Sequence, residues 1–361
     1  MYEAYCLSIS PKKPPLQNLG ELGSEDFYLC NSALSPVLQV IFHAMKILVI
    51  QLGKIGDMVL TTPLFRALHQ ELPEAHIDVV ASRRGAPVIA DNPHIHKILL
   101  YRKNPLRMLF LFFKLRASRY DFFIDPKDHF SRESALLARM SKAAVKIGFN
   151  RPGTGKNVFS RSLPGQEENF LLHASERNLL PLRFFGVQKP QDRRPELFPN
   201  ILLQSKIQDR YTMSGSSIIL LNLSTGDACR RWEKEKWSAV TGFCIKKCFQ
   251  VFLSFTPADS DEAKSIQRKH AEAVLFRSES IKDVIALMPY VRLVITPDTS
   301  IVHIASAFNI PQVAMFPRME WNFNKFKPLS DHSVVLQPSE CSSIADIRTE
   351  DVLEAMRNLL F

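Results

Sequence analysis

An acidic side chain follows the first glycine-rich turn of the chain, at a place where nucleotide-binding proteins usually carry phosphate-binding groups. The segment "QLGKIGDMVLTTP" (51–63) comes directly after the apolar run "MKILVI", and Asp57 ends its glycine turn. The segment fits neither the dinucleotide-binding nor the P-loop glycine pattern. An Asp near a helix start can cap backbone N–H groups, and the helix dipole favours its ionised form. An ionised carboxylate that faces a cleft can also act as a general base, and the residues alone leave both roles open.

A second candidate site is the segment "NLSTGDACRRW" (222–232), which follows another apolar run. Ser224, Thr225 and Gly226 are small residues that can surround a phosphate with backbone and hydroxyl donors. Arg230 and Arg231 would add charge-assisted hydrogen bonds. The alternative is a turn that carries two solvated arginines.

The third candidate, "TPDTSIVHIASAFN" (296–309), has the pattern of a strand end followed by a helix. Asp298, Thr299 and Ser300 stand at the expected helix start, and His303 lies in its first turn. Backbone N–H groups at a helix start bind anions, so this segment predicts a second part of an anion site. The alternative is a capped helix with a partly buried histidine.

The pair Asp259 and Asp261 forms a D-x-D sequence, which often binds a divalent metal together with a sugar nucleotide. Here the pair opens a helical pattern rich in Lys and Arg, and acidic residues suit the start of a helix. We therefore interpret the pair as helix-capping residues and predict no metal site. The six cysteines are scattered without a zinc-binding spacing, and we expect them to be reduced.

Elements that can position these residues alternate along the chain from Met45 onward. Short apolar runs typical of buried strands, such as "KILVI", "HIDVVAS", "SIILLNLS" and "VRLVITP", alternate with segments of helical spacing. Such alternation predicts parallel sheets with right-handed crossovers. The pattern occurs twice, so we expect an α/β protein with two Rossmann-like halves and a ligand crevice at the carboxyl ends of the strands.

Domain boundaries follow from changes in this pattern. We expect a first domain over 45–195, a second over 196–345 and a C-terminal helix within 346–361, with the Pro-rich stretch 188–200 as the linker. Residues 1–44 lack a period and contain many turn formers. They indicate either an N-terminal extension, poorly packed or disordered, or a start codon assigned too early, and the sequence leaves these readings open.

The charge of the chain predicts an anionic partner. The 46 Lys and Arg against 36 Asp and Glu give a formal net charge of +10 over 361 residues. Nucleic acid, an acidic membrane surface or a phosphorylated substrate would each suit this charge. The chain has no RNA-binding signature, zinc finger or basic tail, so we expect no nucleic-acid partner. It also shows no secretory signal, which predicts a cytoplasmic protein.

The ordered motifs resemble those of the bacterial heptosyltransferases, glycosyltransferase family 9, which build the lipopolysaccharide core. The matching segments are "IGDMVLTTPLFRAL", "YDFFIDPKDHFSRESALLARMSKAAVKIGF", "HASERNLLPLRFFGV", "CRRWEKEKW" and "PDTSIVHIASAFNIPQVAMF". The resemblance spans most of the chain from Met45. It implies the GT-B fold, in which two Rossmann-like domains face each other across a cleft.

The resemblance also implies an activity and a set of residues. It implies an inverting glycosyltransferase that moves heptose from ADP-heptose to the lipopolysaccharide inner core without a metal or another cofactor. The acceptor would be a lipid-anchored phosphorylated saccharide, which places the enzyme at the inner face of the inner membrane. By position, Asp57 matches the general base. Donor-binding positions are Ser224, Thr225, Arg230, Asp298, Thr299, Ser300 and His303, and acceptor-binding positions are Lys54, Arg102 and Lys103.

Two departures from the family pattern bear on the donor sugar. Ser300 replaces the usual glycine, and "PRMEWNFNKF" (317–326) replaces a glycine–proline–threonine turn. These departures leave three alternatives to a heptosyltransferase: a family 9 transferase of another sugar, a sugar-nucleotide epimerase of GT-B fold, or a non-catalytic binding homologue. The apolar segment "PLRMLFLFFKLR" (105–116) predicts either a helix packed on the sheet or a contact with the membrane surface.

Overall fold

A computed structural model of the chain describes residues 44–151, 153, 157–187, 192–213, 218–339 and 343–361. The expectation of an N-terminal extension therefore concerns residues that, apart from Ala44, lie outside the described part.

The first half of the chain forms a six-stranded parallel sheet. Its strands are β1 Lys46–Gln51, β2 His76–Ser82, β3 Lys97–Tyr101, β4 Phe122–Ile124, β5 Val145–Gly148 and β6 Arg161–Ser162. They lie in the order β3-β2-β1-β4-β5-β6. The four residues 47–50 of β1 are completely buried, as expected for a parallel sheet that is covered on both faces.

The second half repeats this arrangement. Its strands are β7 Ile218–Asn222, β8 Gln250–Ser254, β9 Val274–Phe276, β10 Val291–Pro297, β11 Gln312–Met315 and β12 Ser333–Leu336. Their order, β12-β11-β10-β7-β8-β9, is that of the first sheet counted from its own first strand. This order is typical of a Rossmann-like sheet, so the prediction of an α/β protein with two Rossmann-like halves is confirmed.

Helices connect the strands in both halves. They are α1 Ile55–Val59, α2 Thr62–Glu71, α3 Pro105–Ser118, α4 Arg132–Ser141, α5 Ala174–Leu179, α6 Ile201–Arg210, α7 Lys234–Lys246, α8 Ser260–Lys269, α9 Ile281–Leu287, α10 Ser300–Ala307, α11 Glu320–Phe326 and α12 Thr349–Leu360. Short 3₁₀ segments lie at Ala86–Ile89, Leu180–Phe185, Ala228–Arg230, Pro257–Asp259, Met288–Tyr290 and Ile344–Asp346. Within the described residues, none of the helices combines the length and the apolar character needed to cross a membrane.

Local sequence explains several element boundaries. Ser131 caps α4 by accepting a hydrogen bond from the Ser134 N–H. Helix α5 ends at Leu179 and continues as a 3₁₀ segment that includes Pro181. It ends at Gly186, whose φ of +80° is a left-handed conformation that favours glycine. The sequence pattern did not predict β6, α6, α11 or β12.

The two halves share one apolar core cluster. It contains Val59 and Ile89 of the first half together with Ile285 and Ile301 of the second. Helix α1 packs against α10, and the 3₁₀ segment Ala86–Ile89 packs against α9. The strands of the first sheet lie within 46–162 and those of the second within 218–336, so the described chain passes between the sheets once. The finer domain boundaries stay a prediction.

The described part of the expected linker, 192–200, is held against the first half. Glu196 accepts hydrogen bonds from Arg66 at 3.2 Å and pairs with His94 at 2.8 Å, while its N–H donates to Thr62 Oγ1 at 2.8 Å. These bonds attach the segment that connects the halves to the surface of the first half. Residues 188–191 of the expected linker are not among the described residues.

Candidate active site

The candidate residues follow strands whose carboxyl ends lie at one edge of each sheet. Parallel strands all end at the same edge, so the turns that follow them lie together. Lys54 and Asp57 follow β1, Arg102 and Lys103 follow β3, Ser224, Thr225 and Arg230 follow β7, and Asp298, Thr299, Ser300 and His303 follow β10.

Asp57 is the third residue of α1, which Lys54 precedes as the N-cap residue. Its carboxylate accepts a hydrogen bond of 2.8 Å from the Lys54 N–H, so it reaches back over the turn. Asp57 thus lies near the helix start, as expected, but three residues after the N-cap position, from which its carboxylate stabilises the first turn. A Cβ at Gly53 would lie 2.4 Å from Asp57 Oδ2, so only glycine leaves room for this side chain.

Gly56 allows α1 of the first half to approach α10 of the second. A Cβ at Gly56 would lie 3.0 Å from His303 Cδ2 and 3.8 Å from the Ser300 Cα. Exposed Lys54 also faces this region. Burial raises the pKa of Asp298, while the positive charges of Arg230 and Lys54 oppose the increase. The turn that carries Asp57 therefore borders the start of α10, across the boundary between the halves.

His303 is buried within this contact. Its ring lies 6.0 Å from the ring of Phe326, and burial lowers its pKa to about 3. The imidazole is thus neutral at neutral pH, and any contact with a phosphate would be a hydrogen bond without a charge contribution.

Asp298 holds Arg230 and Asn322 in one network. Arg230 Nη1 donates to the Asp298 carbonyl at 3.0 Å, and Nη2 lies 3.1 Å from Oδ2 of its carboxylate. The Asn322 amide donates to the same Oδ2 at 2.6 Å. Arg230 Nε is buried without a hydrogen-bond partner among the described residues. The carboxylate of Asp298 would repel a phosphate, so its action here is to orient the guanidinium of Arg230.

Asn222, at the end of β7, connects this strand to the start of α10. Its amide donates to Thr296 Oγ1 at 3.0 Å and to Thr299 Oγ1 at 3.1 Å. Thr299 is the N-cap residue of α10, and its hydroxyl accepts from the Ile301 N–H. Asn222 was not among the predicted site residues, although a polar side chain at the end of an apolar strand is the signal that marks it.

The hydroxyls of the β7 loop are occupied within the protein. Ser224 Oγ donates to Asp259 Oδ2 at 2.7 Å and accepts from the Thr256 N–H at 2.6 Å. Thr225 Oγ1 donates to the Asp227 carbonyl at 3.1 Å. A Cβ at Gly226 would meet no atom within 4 Å, so the backbone of the loop stays accessible. Backbone N–H groups, and not these hydroxyl protons, are the donors that the loop offers to an anion.

The prediction that both residues of the D-x-D pair cap a helix is wrong for Asp259. Asp259 precedes α8 but makes no side-chain cap; its carboxylate instead binds Ser224, Thr256 and Arg231, the last at 2.9 Å. Asp261 lies exposed in the first turn, as the dipole argument expects. No group of three His, Cys, Asp or Glu side chains is placed to hold a metal ion in the part of the chain that the structure describes.

The basic residues of the first half line the same edge. Arg102 is half-buried, and its Nε has no hydrogen-bond partner within the described ranges. Lys103 is exposed and pairs with Glu133 at 3.1 Å. Arg83 and Arg84 directly follow β2 and add two more cations that the sequence analysis did not single out.

A buried ion cluster joins the halves beside the candidate site. Asp128, which follows β4, lies 3.3 Å from Lys325 Nζ of α11 and 3.2 Å from Arg177 Nη1. The carboxylate is 1% exposed and Lys325 is 7% exposed. Burial opposes ionisation, yet a hydrogen bond from His129 and the charges of Arg177 and Lys325 hold the pKa of Asp128 well below its ordinary value. The segment that departs from the family pattern thus supplies both Asn322 and Lys325.

Comparison with known proteins gives the affiliation of the chain. A model of glycosyltransferase family 9 (heptosyltransferase) matches residues 108–356. Lipopolysaccharide heptosyltransferase 3 of Escherichia coli is 24% identical over 298 residues, covering 77% of this chain and 85% of the relative.

Solved structures agree with the fold. A family 9 glycosyltransferase from Veillonella parvula DSM 2008 has a TM-score of 0.78 at 19% identity, covering 88% of this chain and 99% of its own. The E. coli heptosyltransferase WaaC, solved with ADP, has a TM-score of 0.73 at 18% identity, covering 87% of this chain and all of its own (100%). The expected GT-B fold is confirmed by these similarities.

Proposed function

Because the chain belongs to glycosyltransferase family 9, whose relatives here include lipopolysaccharide heptosyltransferases, we propose that it transfers heptose from ADP-heptose to a hydroxyl of the lipopolysaccharide inner core. The transfer proceeds with inversion and requires no metal ion or other cofactor.

The approach of the Asp57 turn to α10 is the observation that carries this proposal. Gly56, the neighbour of Asp57, contacts His303 and borders Ser300 of the second half. A carboxylate is therefore held close to the helix start at which a nucleotide sugar would place its phosphates. An acid and an anion site on opposite halves are what a displacement at a sugar carbon requires.

Each group then has a defined task. Asp57 accepts the proton of the acceptor hydroxyl while the new C–O bond forms at the anomeric carbon, a step worth about 10²–10⁴-fold in rate. The bond from that carbon to the phosphate oxygen breaks, and ADP leaves with the electron pair. Arg230, the start of α10 and the backbone N–H groups of 224–226 stabilise the growing negative charge.

The acceptor and the place of action follow from the basic edge of the first half. Lys54, Arg102 and Lys103 suit a phosphorylated, lipid-anchored core saccharide. We infer that the enzyme acts in the cytoplasm at the inner face of the inner membrane, where such an acceptor is accessible.

A second candidate is a family 9 transferase of another sugar, and α11 is the feature that favours it. Asn322 binds Asp298 on the donor side and Lys325 binds Asp128 of the first half, so the departing segment is held beside the candidate site. A changed sugar pocket would arise there without a change in Asp57 or Arg230.

Transfer to purified core acceptor tests both candidates. The protein is incubated with lipopolysaccharide truncated within its inner core and with ADP-heptose, or with ADP- or UDP-hexoses in parallel. Mass spectrometry is expected to show a gain of one heptose only with ADP-heptose. A gain of a hexose would favour the second candidate, and a nucleotide sugar epimerised without acceptor would overturn both.

A further inference from the structure

Helix α3 carries apolar side chains on two opposite faces. Leu111 and Leu115 are buried in the core of the first half. Four more large apolar residues are exposed to between 50% and 74%: Leu106, Leu109, Phe110 and Phe113. Their spacing of three and four residues places them on one face, away from the core. Contiguous exposed apolar residues with polar residues at their border are typical of an interaction surface, so the outer face of α3 is a candidate docking surface.

Positive charges border this outer face. Residues 102–120 contain six Lys and Arg and no Asp or Glu. Arg107 and Lys114 lie on one side of the exposed apolar stripe and Arg116 on the other, as the helical spacing requires. None of these three forms an ion pair with any described residue. An apolar stripe with cationic borders is the pattern of helices that lie in the surface of an anionic bilayer.

The position of α3 links this face to the candidate site. The helix begins at Pro105, two residues after Lys103, and therefore starts at the edge that carries the basic acceptor candidates. Asn104 caps it by accepting a hydrogen bond from the Arg107 N–H. The neighbouring helix α4 packs against α3 and adds exposed Leu136, and Phe130 lies just before it. Exposed apolar side chains thus lie on both helices that follow β3 and β4.

We propose that the outer face of α3, formed by Leu106, Leu109, Phe110 and Phe113 with Arg107, Lys114 and Arg116 at its borders, docks on an anionic lipid bilayer. The proposal deepens the proposed function, because docking would bring the basic edge to a lipid-anchored acceptor. The docking proposal can nevertheless be tested alone, because binding to plain lipid needs neither sugar donor nor acceptor. A protein that binds vesicles without transferring sugar, or the reverse, would show which of the two proposals fails.

Flotation with vesicles tests the proposal on the full chain. Vesicles of equal parts phosphatidylcholine and phosphatidylglycerol are compared with pure phosphatidylcholine. We expect binding to the anionic vesicles, weakened by salt, and little binding to the neutral ones. Phe110→Ser with Phe113→Ser, and separately Arg107→Glu with Lys114→Glu, should each lower the binding constant by at least about tenfold.

Helix α6 provides a matched control. Ile201 and Leu202 are 78% and 74% exposed on α6, a helix that packs against α9 of the second half. Ile201→Ser with Leu202→Ser should leave vesicle binding unchanged. Equal binding to both vesicle types, no binding to either, or an equal loss in the control would overturn the proposal.

A conservative variant tests the same face without a risk of misfolding. Phe110→Trp keeps an aromatic residue at a position that is 74% exposed. Its added fluorescence should be quenched by bromine-labelled acyl chains, whereas an unquenched signal would overturn the proposal. A dimer abolished by Phe110→Ser with Phe113→Ser, or a crosslink from 1–43 to α3 in the absence of lipid, would assign the face to another occupant and likewise overturn it.

Discussion

Asp57 is positioned by one polar contact and one steric fit. Its carboxylate accepts from the Lys54 N–H and lies where any side chain at residue 53 would collide with it. An Asn side chain has the same size and can keep this hydrogen bond through its carbonyl oxygen. The substitution Asp57→Asn therefore removes the charge and basicity while leaving the turn in place.

We predict that Asp57→Asn lowers kcat by about 10²–10⁴-fold and changes the KM for the donor little, because proton acceptance is lost but the anion site is not. Steady-state kinetics with purified acceptor measures this split. Asp261→Asn is the matched control, since Asp261 is exposed on α8 and should retain full kcat. A kcat for Asp57→Asn equal to that of the unchanged enzyme would rule Asp57 out as the base.

The residues around Asp57 show what the sequence could and could not predict. Asp57, Thr299 and Arg230 were predictable because a strand–turn–helix pattern fixes the edge at which they lie. Asn322 was not, because its partner Asp298 is 24 residues away and no local pattern relates them. The contact of Lys325 with Asp128 spans 197 residues and depends on how the two halves meet, which periodicity does not encode.

At the scale of elements, α11 and the turn after β4 are joined by charges with little access to water. Asp128 has partners on both halves, Arg177 and Lys325, whereas Lys325 has Asp128 as its one ion-pair partner among the described residues. Removing the acid therefore leaves a buried ammonium unpaired, while removing the lysine leaves the acid still paired. The two losses should differ in their effect on stability.

We predict that Asp128→Asn lowers the free energy of unfolding by about 3–5 kcal/mol, the usual effect of leaving a buried charge unpaired. Lys325→Met should cost only about 1–2 kcal/mol, since Asp128 keeps its ion pair with Arg177. Urea unfolding of both variants and of the double variant measures these values, and the double variant should lose less than the sum.

The exposed pair Arg348 and Asp351 supplies the control for this cycle. Asp351→Asn should change the free energy of unfolding little, because solvated ion pairs contribute little. Strict additivity of Asp128→Asn and Lys325→Met would show that the two side chains do not interact.

For the whole molecule, two buried histidines make the contact between the halves sensitive to acid. Burial lowers the pKa of His173 to about 4 and that of His303 to about 3. His173 Nε2 lies 3.0 Å from the Lys327 carbonyl of the second half, and His303 contacts Gly56 of the first. The unfolded chain, where histidine titrates near its ordinary pKa of about 6.5, binds more protons than the folded chain below that pH.

We therefore predict that the free energy of unfolding falls as the pH decreases from about 6.5 to about 4, by on the order of 1 kcal/mol per pH unit for each histidine. Urea unfolding at several pH values measures the slope. The double variant His173→Asn with His303→Gln should flatten it, because neither replacement side chain titrates.

Comparison with this double variant separates the two histidines from the other groups that titrate between about pH 4 and about 6.5. Burial raises the pKa values of Asp125 and Asp298, so these carboxyl groups act in the opposite direction in both proteins. His332→Gln, at an exposed site, should leave the slope as it is. A slope that is the same with and without His173 and His303 would contradict the assignment.

The single passage of the described chain between two sheets of the same strand order makes each half an exchangeable module. A chimera joined within 192–200 would combine the acceptor side of one family member with the donor side of another. Compatibility would depend on a few matched pairs, chiefly Asp128 with Lys325 and Gly56 with His303. Within the family, the sugar that is transferred could therefore change during evolution through exchange of whole halves as well as through point substitutions.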